Sequence, residues 1–523
     1  MRLPSPGAAI PRHTATGDCL DAGCIAKVPA VSGYTDAYMP SALRPIDLAV
    51  VVVYLAGITW FGARFRSSQR TLQDYFLGGK TAPWWAIALS IVSAETSTLT
   101  VIGTPPLAFQ GNFAFLQLVL GYLLARVVIA ALFLPAYFRG EMFTAYELMR
   151  RRFGERTRRM TAALFLVLRA LAEGVRVFAV SIVISVMLAA GETASIAVIV
   201  IMTLFYTYEG GLTAVIWTDV VQMALYVAGA TVSLGLLLHQ VPGGWAHVAA
   251  VAGPLGKLQV FDFRLAPPAV FFTRTYSFWA GILGGCFLTT ASHGTEQLMV
   301  QRLLAARNLK ESRAALLGSW VVIFIQFTMF LAIGTCLFVL YRESGRAAPA
   351  VLDRLYPLYV WQSLPVGVAG LVMAAILAAA MSNLSAALNA LASTTVLDLW
   401  RPLAGGSSGE AAWLRRARFA TVVWGAILFG VALIARHWGS VLQAGLSIAS
   451  IVYGSLLGVF LLGLLTRRVG EKAAMWAMPA GLAVMLYVRF ATPIAFTWYV
   501  AIGATATFAT GMAASLFVKE TPR

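Results

Sequence analysis

Charge is scarce in this sequence. Only 12% of the 523 residues are Asp, Glu, Lys or Arg, and 22 are acidic. A soluble globular chain carries about a quarter charged residues, so a soluble globular protein is excluded. Histidine is nearly absent as well: His239, His247, His293 and His437 are scattered, and His13 lies in the N-terminal tail. No spacing of His, Cys and acids suits a metal, and no Ser-His-acid set can be argued, which counts against a membrane enzyme. Four cysteines occur, Cys19, Cys24, Cys286 and Cys336. None has metal-ligand company, so packing is the expected role. There is no GxxxxGK[ST] stretch, so no ATP site is expected. Residues 1–38, rich in Pro, Gly, Ala, Ser and Thr, lack the apolar stretch of a signal peptide and read as disordered. Met39 is a second candidate start, because MPSALRPIDLAVVVVYLAG runs directly into the first apolar span.

What the chain has instead is hydrocarbon: 59% hydrophobic residues and a mean hydropathy of +0.78. The apolar runs are long enough to cross a bilayer, which takes about 20 residues. About thirteen spans are predicted, near 46–65, 82–109, 113–137, 159–189, 192–208, 213–239, 273–299, 314–341, 361–397, 416–436, 440–465, 471–490 and 494–517. The net charge of +17 does not indicate nucleic acid, because the basic residues sit in short loops between spans. Alternate loops differ sharply in Lys and Arg. The basic side, with Arg150, Arg151, Arg152, Arg302, Arg307, Arg415 and Arg467 among others, is expected to be cytoplasmic. That places the N-terminus outside and the C-terminus inside a plasma (inner) membrane. The two longest outside loops, 240–272 and 342–360, are too short to be domains, and no appended soluble domain is expected.

An ionisable group at bilayer depth costs at least a few kcal/mol unless paired or hydrated. Four stretches therefore carry the functional expectation. In IVSAETSTLT, residues 91–100, Glu95 is surrounded by hydroxyls and followed by Gly103, Pro105 and Pro106. This pattern fits a helix locally unwound to expose carbonyls to a cation, although such hydroxyls also bond to their own backbone. In AAAMSNLSAALNALAS, residues 378–393, Ser382, Asn383, Ser385 and Asn389 offer hard oxygen donors beside small residues. These suit an alkali cation, and equally close helix packing. In YTYEGGLTAVIWTDVVQ, residues 206–222, Gly210 and Gly211 are expected to end one helix, and Asp219 lies in the next. In LRALAEGVRVFA, residues 168–179, Arg169, Glu173 and Arg176 share a helix face. One acid against two arginines leaves a surplus positive charge. It reads either as a structural triad or as a grip for an anionic substrate group.

At these residues the chain resembles the sodium:solute symporter family. YFLGGKTAPWW (75–85), GGLTAVIWTDVVQ (210–222), GTEQLMVQRLLAARNLKES (294–312) and AAAMSNLSAALNALASTTVLDLW (378–400) look like family stretches in the right order. The resemblance implies an all-α polytopic membrane protein with LeuT-type inverted five-helix repeats at 82–239 and 273–465. An N-terminal segment (1–45) and a leading helix (46–65) would precede them, an outside loop (240–272) would join them, and two trailing helices and a short tail (466–523) would follow. It implies a sodium ion between carbonyls of Ser93, Thr96 and Ala379 and the side chain of Ser382, with Asn383 standing where a second hydroxyl belongs. A second sodium is implied at Asp219, Ser382 and Ser385, where Ala386 departs from the pattern. Glu95 stands where the family varies, and could ligate sodium, bind a cationic substrate group or exchange a proton. The sugar branch's glutamine aligns with Leu446, which lowers a sugar reading.

The expected activity is import of a small organic solute by a sodium-coupled symporter, with a lean toward a carboxylate-bearing solute from Arg169 and Arg176. The candidate substrate residues are Glu95, Ser97, Thr100, Gln117, Arg176, His293 and Glu296. His293 reads more readily as a structural histidine than as a ligand, and Gln117 equally as a packing contact. The alternatives are a proton-coupled symporter of the same fold using Glu95 and, from another class, a non-transporting solute sensor. Expected partners are sodium, the solute and membrane lipid, not nucleic acid, with one chain as the functional unit.

Overall fold

The computed structural model describes residues 44–64, 78–140, 142, 144–188, 191–207, 212–265, 267–403, 410–437 and 440–518. The tail expected to be disordered, residues 1–38, and Gly210 and Gly211 lie outside them, as does the side chain of Ser382. The described residues are helical, with no strand among them. Among the described residues ten helices are long and apolar enough to cross a membrane, and a bent pair, Trp84–Glu95 with Thr98–Gln110, counted as one span, makes an eleventh.

The expected count of thirteen is therefore not reached by length and hydropathy alone, and two segments account for the difference. Glu192–Thr207 has only 16 residues. The run read as one span at 273–299 is instead a π-helical turn, Ala280–Gly284, continuing into Gly285–Gly294 and then interrupted before Gln297–Leu304.

Each of the two expected repeats thus opens on an interrupted helix. The first bends by 63° at Thr96 (φ −85°, ψ 90°) and Ser97 (φ −91°, ψ 175°). The prolines are not the hinge: Pro105 and Pro106 lie inside the Thr98–Gln110 helix. The second interruption falls at Thr295 (φ −127°, ψ −19°) and Glu296 (φ −82°, ψ 128°).

Around these breaks pack the long helix Glu155–Leu188, the aspartate-bearing helix Leu212–Gln240, Leu309–Ser344, the alanine-rich helix Val368–Thr394 and the tyrosine-bearing helix Val441–Leu465. Lipid tails give no hydrophobic gain for helix association, so close approach of backbones must supply the packing. Phe115–Val128 meets the second interrupted helix where a Cβ on Gly121 would lie 2.5 Å from the carbonyl oxygen of Gly281. The leading helix Pro45–Ala63 is held through Asp47, whose Oδ1 accepts from the backbone N–H groups of Gly367 and Gly370 at 2.7 Å each. Its other face shows Val52, Val53 and Trp60, each more than 60% exposed, as expected of a surface bathed in lipid.

Candidate functional site: a cavity between two helix breaks

The two interruptions face a cavity of about 110 Å³, lined by Glu95, Ser97, Thr100, Arg176, His293 and Glu296, with Leu446 and Tyr453 on the tyrosine-bearing helix. Six of the seven candidate substrate residues are thus brought together. Gln117 is not among the lining residues. Its Nε2 donates to the carbonyls of Ala114 (3.2 Å) and Tyr276 (3.1 Å), and its Oε1 accepts from the N–H of Asp262 (3.0 Å), so its polar atoms tie a loop down.

Glu95 ends the first half of the first broken helix. An anion there meets the negative end of the helix dipole and needs a compensating charge. Arg126 supplies it, donating from Nη2 to Oε2 of Glu95 at 2.5 Å. The guanidinium is fully buried and also donates to Ser319 Oγ (3.1 Å) and the Tyr122 carbonyl (3.3 Å). His293 Nε2 lies 3.3 Å from the same carboxylate oxygen, while its Nδ1 is 2.8 Å from Ser292 Oγ.

Glu296 is the N-cap residue of Gln297–Leu304, where the dipole favours an anion. Arg169 bridges two acids, donating to Glu296 Oε1 at 2.9 Å and to Glu173 Oε2 at 2.8 Å. Tyr453 donates its hydroxyl to Glu296 Oε2 at 2.5 Å, and Arg176 reaches Glu173 at 3.4 Å. The surplus positive charge expected from Arg169, Glu173 and Arg176 is therefore cancelled by Glu296, a residue over a hundred positions away. Arg176 keeps spare capacity: its one ion pair is long, and its buried Nε has no hydrogen-bond partner.

At the first expected ion position, Ser93, Ala379 and Asn383 come together. The Asn383 amide donates from Nδ2 to the Ser93 carbonyl (3.4 Å) and to the Ala379 carbonyl (3.1 Å). Thr96 follows Ser93 by three positions, and its hydroxyl donates to Gln326 Oε1 at 2.9 Å. A void of about 10 Å³, lined by Ser97, Thr98, Glu173, Arg176 and Asn383, opens next to this junction.

At the second expected position, Asp219 Oδ2 accepts from Ser90 Oγ (2.6 Å) and from Arg302 Nη2 (3.0 Å). Arg302 also donates to Ser90 Oγ at 2.9 Å and is 2% exposed. It does not belong with the basic loop residues: the second helix break carries it into the bundle. Ser385 is buried on the alanine-rich helix. Among the described residues, no group of three or more His, Cys, Asp or Glu is arranged to hold a metal ion. The oxygens at hand are carbonyls, hydroxyls and amides, the hard donors that suit an alkali cation.

Sequence reading missed Arg126 and Tyr453. Arg126 stands alone in the apolar run LQLVLGYLLARVVIAALF, and the rule that singled out Glu95 applies to it equally. Nothing in the sequence marks Tyr453, whose role depends on which helix faces Glu296.

The arrangement has counterparts. The chain is 29% identical over 446 residues to the human (Homo sapiens) sodium/iodide cotransporter, covering 84% of this chain and 68% of that protein. It is 30% identical over 450 residues to sodium-coupled monocarboxylate transporter 1 of Mus musculus, covering 85% and 72%. It is 26% identical over 473 residues to the sodium/sialic acid symporter SiaT of Proteus mirabilis (strain HI4320), covering 88% and 92%. Among solved structures, a substrate-bound outward-open state of a sodium-coupled sialic acid symporter superposes with a TM-score of 0.82 at 25% identity, over 91% of this chain and 99% of that one. The inward-facing conformation of Mhp1 shares the fold with a TM-score of 0.54 at 18% identity, over 84% and 91%. The family model for sodium:solute symporters matches residues 75–481. A polytopic helical chain with paired helix breaks around a polar cavity, matched over most of its length, is a membrane transporter and not an enzyme, and belongs to the sodium:solute symporter family.

Proposed function

We propose that the protein imports a small carboxylate-bearing solute together with sodium, by alternating access. The observation that carries the reading is the cavity between the breaks at Thr96–Ser97 and Thr295–Glu296. Irregular backbone at membrane depth persists where it lines a cavity or is buried in protein, and interrupted helices offer free carbonyls to a cation and free N–H groups to an anion.

Support for an acidic solute comes from Arg176, which lines the cavity with an unpartnered Nε, since guanidinium groups bind carboxylates through parallel hydrogen bonds. Relatives named for monocarboxylates and sialic acid point the same way. Leu446 on the cavity wall offers no polar group to a sugar. The cation position is the junction of Ser93, Thr96, Ala379 and Asn383, with Ser382 as a further donor. An ion there would join the first broken helix to the alanine-rich helix and favour the state competent to bind solute. Coupling is then a population shift set by differential affinity. Asp219 and Ser385 form a second ion position only in a state where Arg302 has left the carboxylate. The proton-coupled alternative is weakened, because Glu95 is matched by a buried guanidinium and is not a spare carboxyl.

Proteoliposome uptake tests the reading. Accumulation of lactate, pyruvate or sialic acid should require an inward sodium gradient and collapse when the gradient is abolished. Accumulation that persists unchanged without sodium would rule the coupling out. Uptake of iodide or glucose in preference to the acids would rule the substrate class out.

A further inference from the structure

The side chain of Asn383 is 3% exposed and occupies the point where the first broken helix meets the alanine-rich helix. Its bond to the Ala379 carbonyl, 3.1 Å and one helical turn back, is by itself an ordinary local contact. Its bond to the Ser93 carbonyl, 290 positions away at 3.4 Å, is not. Ser93 sits in the last turn of a helix that stops at Glu95, so helix continuation no longer supplies a partner for its carbonyl. One amide nitrogen thereby bridges two carbonyls from different helices.

The same amide leaves its oxygen stranded. Asn383 Oδ1 is buried with no hydrogen-bond partner, as is the neighbouring Ser93 Oγ. A buried polar atom without a partner costs about 1–3 kcal/mol, so this orientation is not the best one available to an isolated amide. It is nevertheless the orientation the surroundings impose, because both groups within its reach are carbonyl oxygens. The reverse orientation would set Oδ1 against the carbonyl oxygens of Ser93 and Ala379, three acceptors without a donor. A monovalent cation between them would invert the preference, since three oxygens facing one cation are its natural shell.

We propose that the Asn383 amide is a tethered competitor of the transported sodium ion. Its N–H groups hold the Ser93 and Ala379 carbonyls together in the ion-free protein, and a half-turn about its side-chain axis is required before an ion can take them. The inference rests on the reading of this junction as a sodium position and adds what sets the affinity there. One side chain serves as latch in the ion-free state and as ligand in the loaded state. Sodium must break two hydrogen bonds to bind, so the protein needs a higher sodium concentration than a chain with a plain hydroxyl at this position. In the ion-free state the latch also keeps the broken helix joined to the alanine-rich helix.

The test is a sodium titration of the full chain in lipid nanodiscs without solute, with choline balancing ionic strength. Tryptophan fluorescence and melting temperature are followed for the wild type, Asn383→Ser and Asn383→Thr. Both variants keep an oxygen and lose the amide N–H groups, and the second serves if the first does not fold. The expected result is half-saturation at about tenfold lower sodium in the variants, the factor expected when about one net hydrogen bond no longer has to be broken. Half-saturation in a folded variant equal to or above that of the wild type overturns the competitor role. Sodium acting on the variants but not on the wild type supports the competitor and overturns sodium coupling in the native chain. Sodium acting on none of the three overturns both.

Discussion

Arg126 and Glu95 form a buried ion pair, with Nη2 of the arginine 2.5 Å from Oε2 of the acid and the guanidinium fully enclosed. The pair joins the helix Phe115–Val128 to the break of the first interrupted helix. It also explains how an acid is tolerated in an apolar run: the anion is answered by a permanent cation whose other donors go to Ser319 and Tyr122.

Breaking one partner should therefore cost more than removing both. Arg126→Met or Glu95→Gln alone is expected to lose about 3–5 kcal/mol, because an uncompensated or poorly matched group is left buried. The double variant Arg126→Met, Glu95→Gln should be destabilised less than either single one, so the coupling should be at least the size of one single loss, about 3–5 kcal/mol. Melting of the detergent-solubilised proteins measures the cycle. Strict additivity of the two losses would show that the pair is not coupled.

Tyr453 is expected to act on Glu296 through one hydrogen bond. Tyr453→Phe leaves the Arg169 contact in place and removes the hydroxyl donor. A hydrogen bond to a charged group contributes about 1.5–3 kcal/mol, so the variant should fold with a lower melting temperature and show a raised KM for uptake. Unchanged melting and KM would show that the contact carries no weight.

Asp353 lies outside the spanning helices, in the loop between Leu309–Ser344 and Val368–Thr394. Its Oδ2 accepts from the N–H of Val441 at 3.0 Å. Burial pushes its carboxyl up from 3.8 to about 6, and the Val441 N–H opposes the shift. The folded protein therefore binds the proton more tightly than the unfolded chain. This contribution to stability is complete below about pH 4 and is lost as pH rises through about 6. Asp353→Asn should melt higher than wild type at pH 7.5, by on the order of 2 kcal/mol, and the difference should vanish near pH 4. A difference independent of pH would show that the proton is not involved.

Gly121 permits the close approach of Phe115–Val128 to the second interrupted helix. A Cβ there would lie 2.5 Å from the Gly281 carbonyl oxygen and 2.6 Å from that of Ile282, both backbone atoms with little freedom to give way. Gly121→Ala should destabilise by about 1–3 kcal/mol through overpacking. Comparison with Gly57→Ala, where a Cβ meets nothing within 4 Å, checks that the effect is steric and local. Equal melting of the two variants would remove the argument.

Much of the architecture could be read from hydropathy. A run such as Val441–Leu465 spans because most of its residues transfer favourably into hydrocarbon, a property of the residue and not of its neighbours. Glu95 stood out for the same reason, and so should Arg126 have done. The break at Thr295–Glu296 was less legible, because a hydropathy window does not register where backbone hydrogen bonds stop. That break also explains the misreading of Arg302. Counted along the sequence it follows a span, but the interruption redirects the chain and buries it against Asp219.

The site divides along the same line. The residues of LRALAEGVRVFA are neighbours through helical periodicity, so their shared face was visible. Glu296 and Tyr453 join them only because two other helices pack there, and the expected excess charge disappeared with their arrival. The Asn383 substitution was visible as a departure from a resembling pattern, yet its contact with Ser93 spans 290 positions and no local rule predicts it. The sequence alone thus determined that the chain is a membrane helix bundle, because transfer energies and short-range periodicity are local properties, and its motifs carried the resemblance to the sodium:solute symporter family. The partners of its buried charges and amides were decided only by the tertiary structure, because they depend on which helix faces meet, and close packing between distant segments settles that.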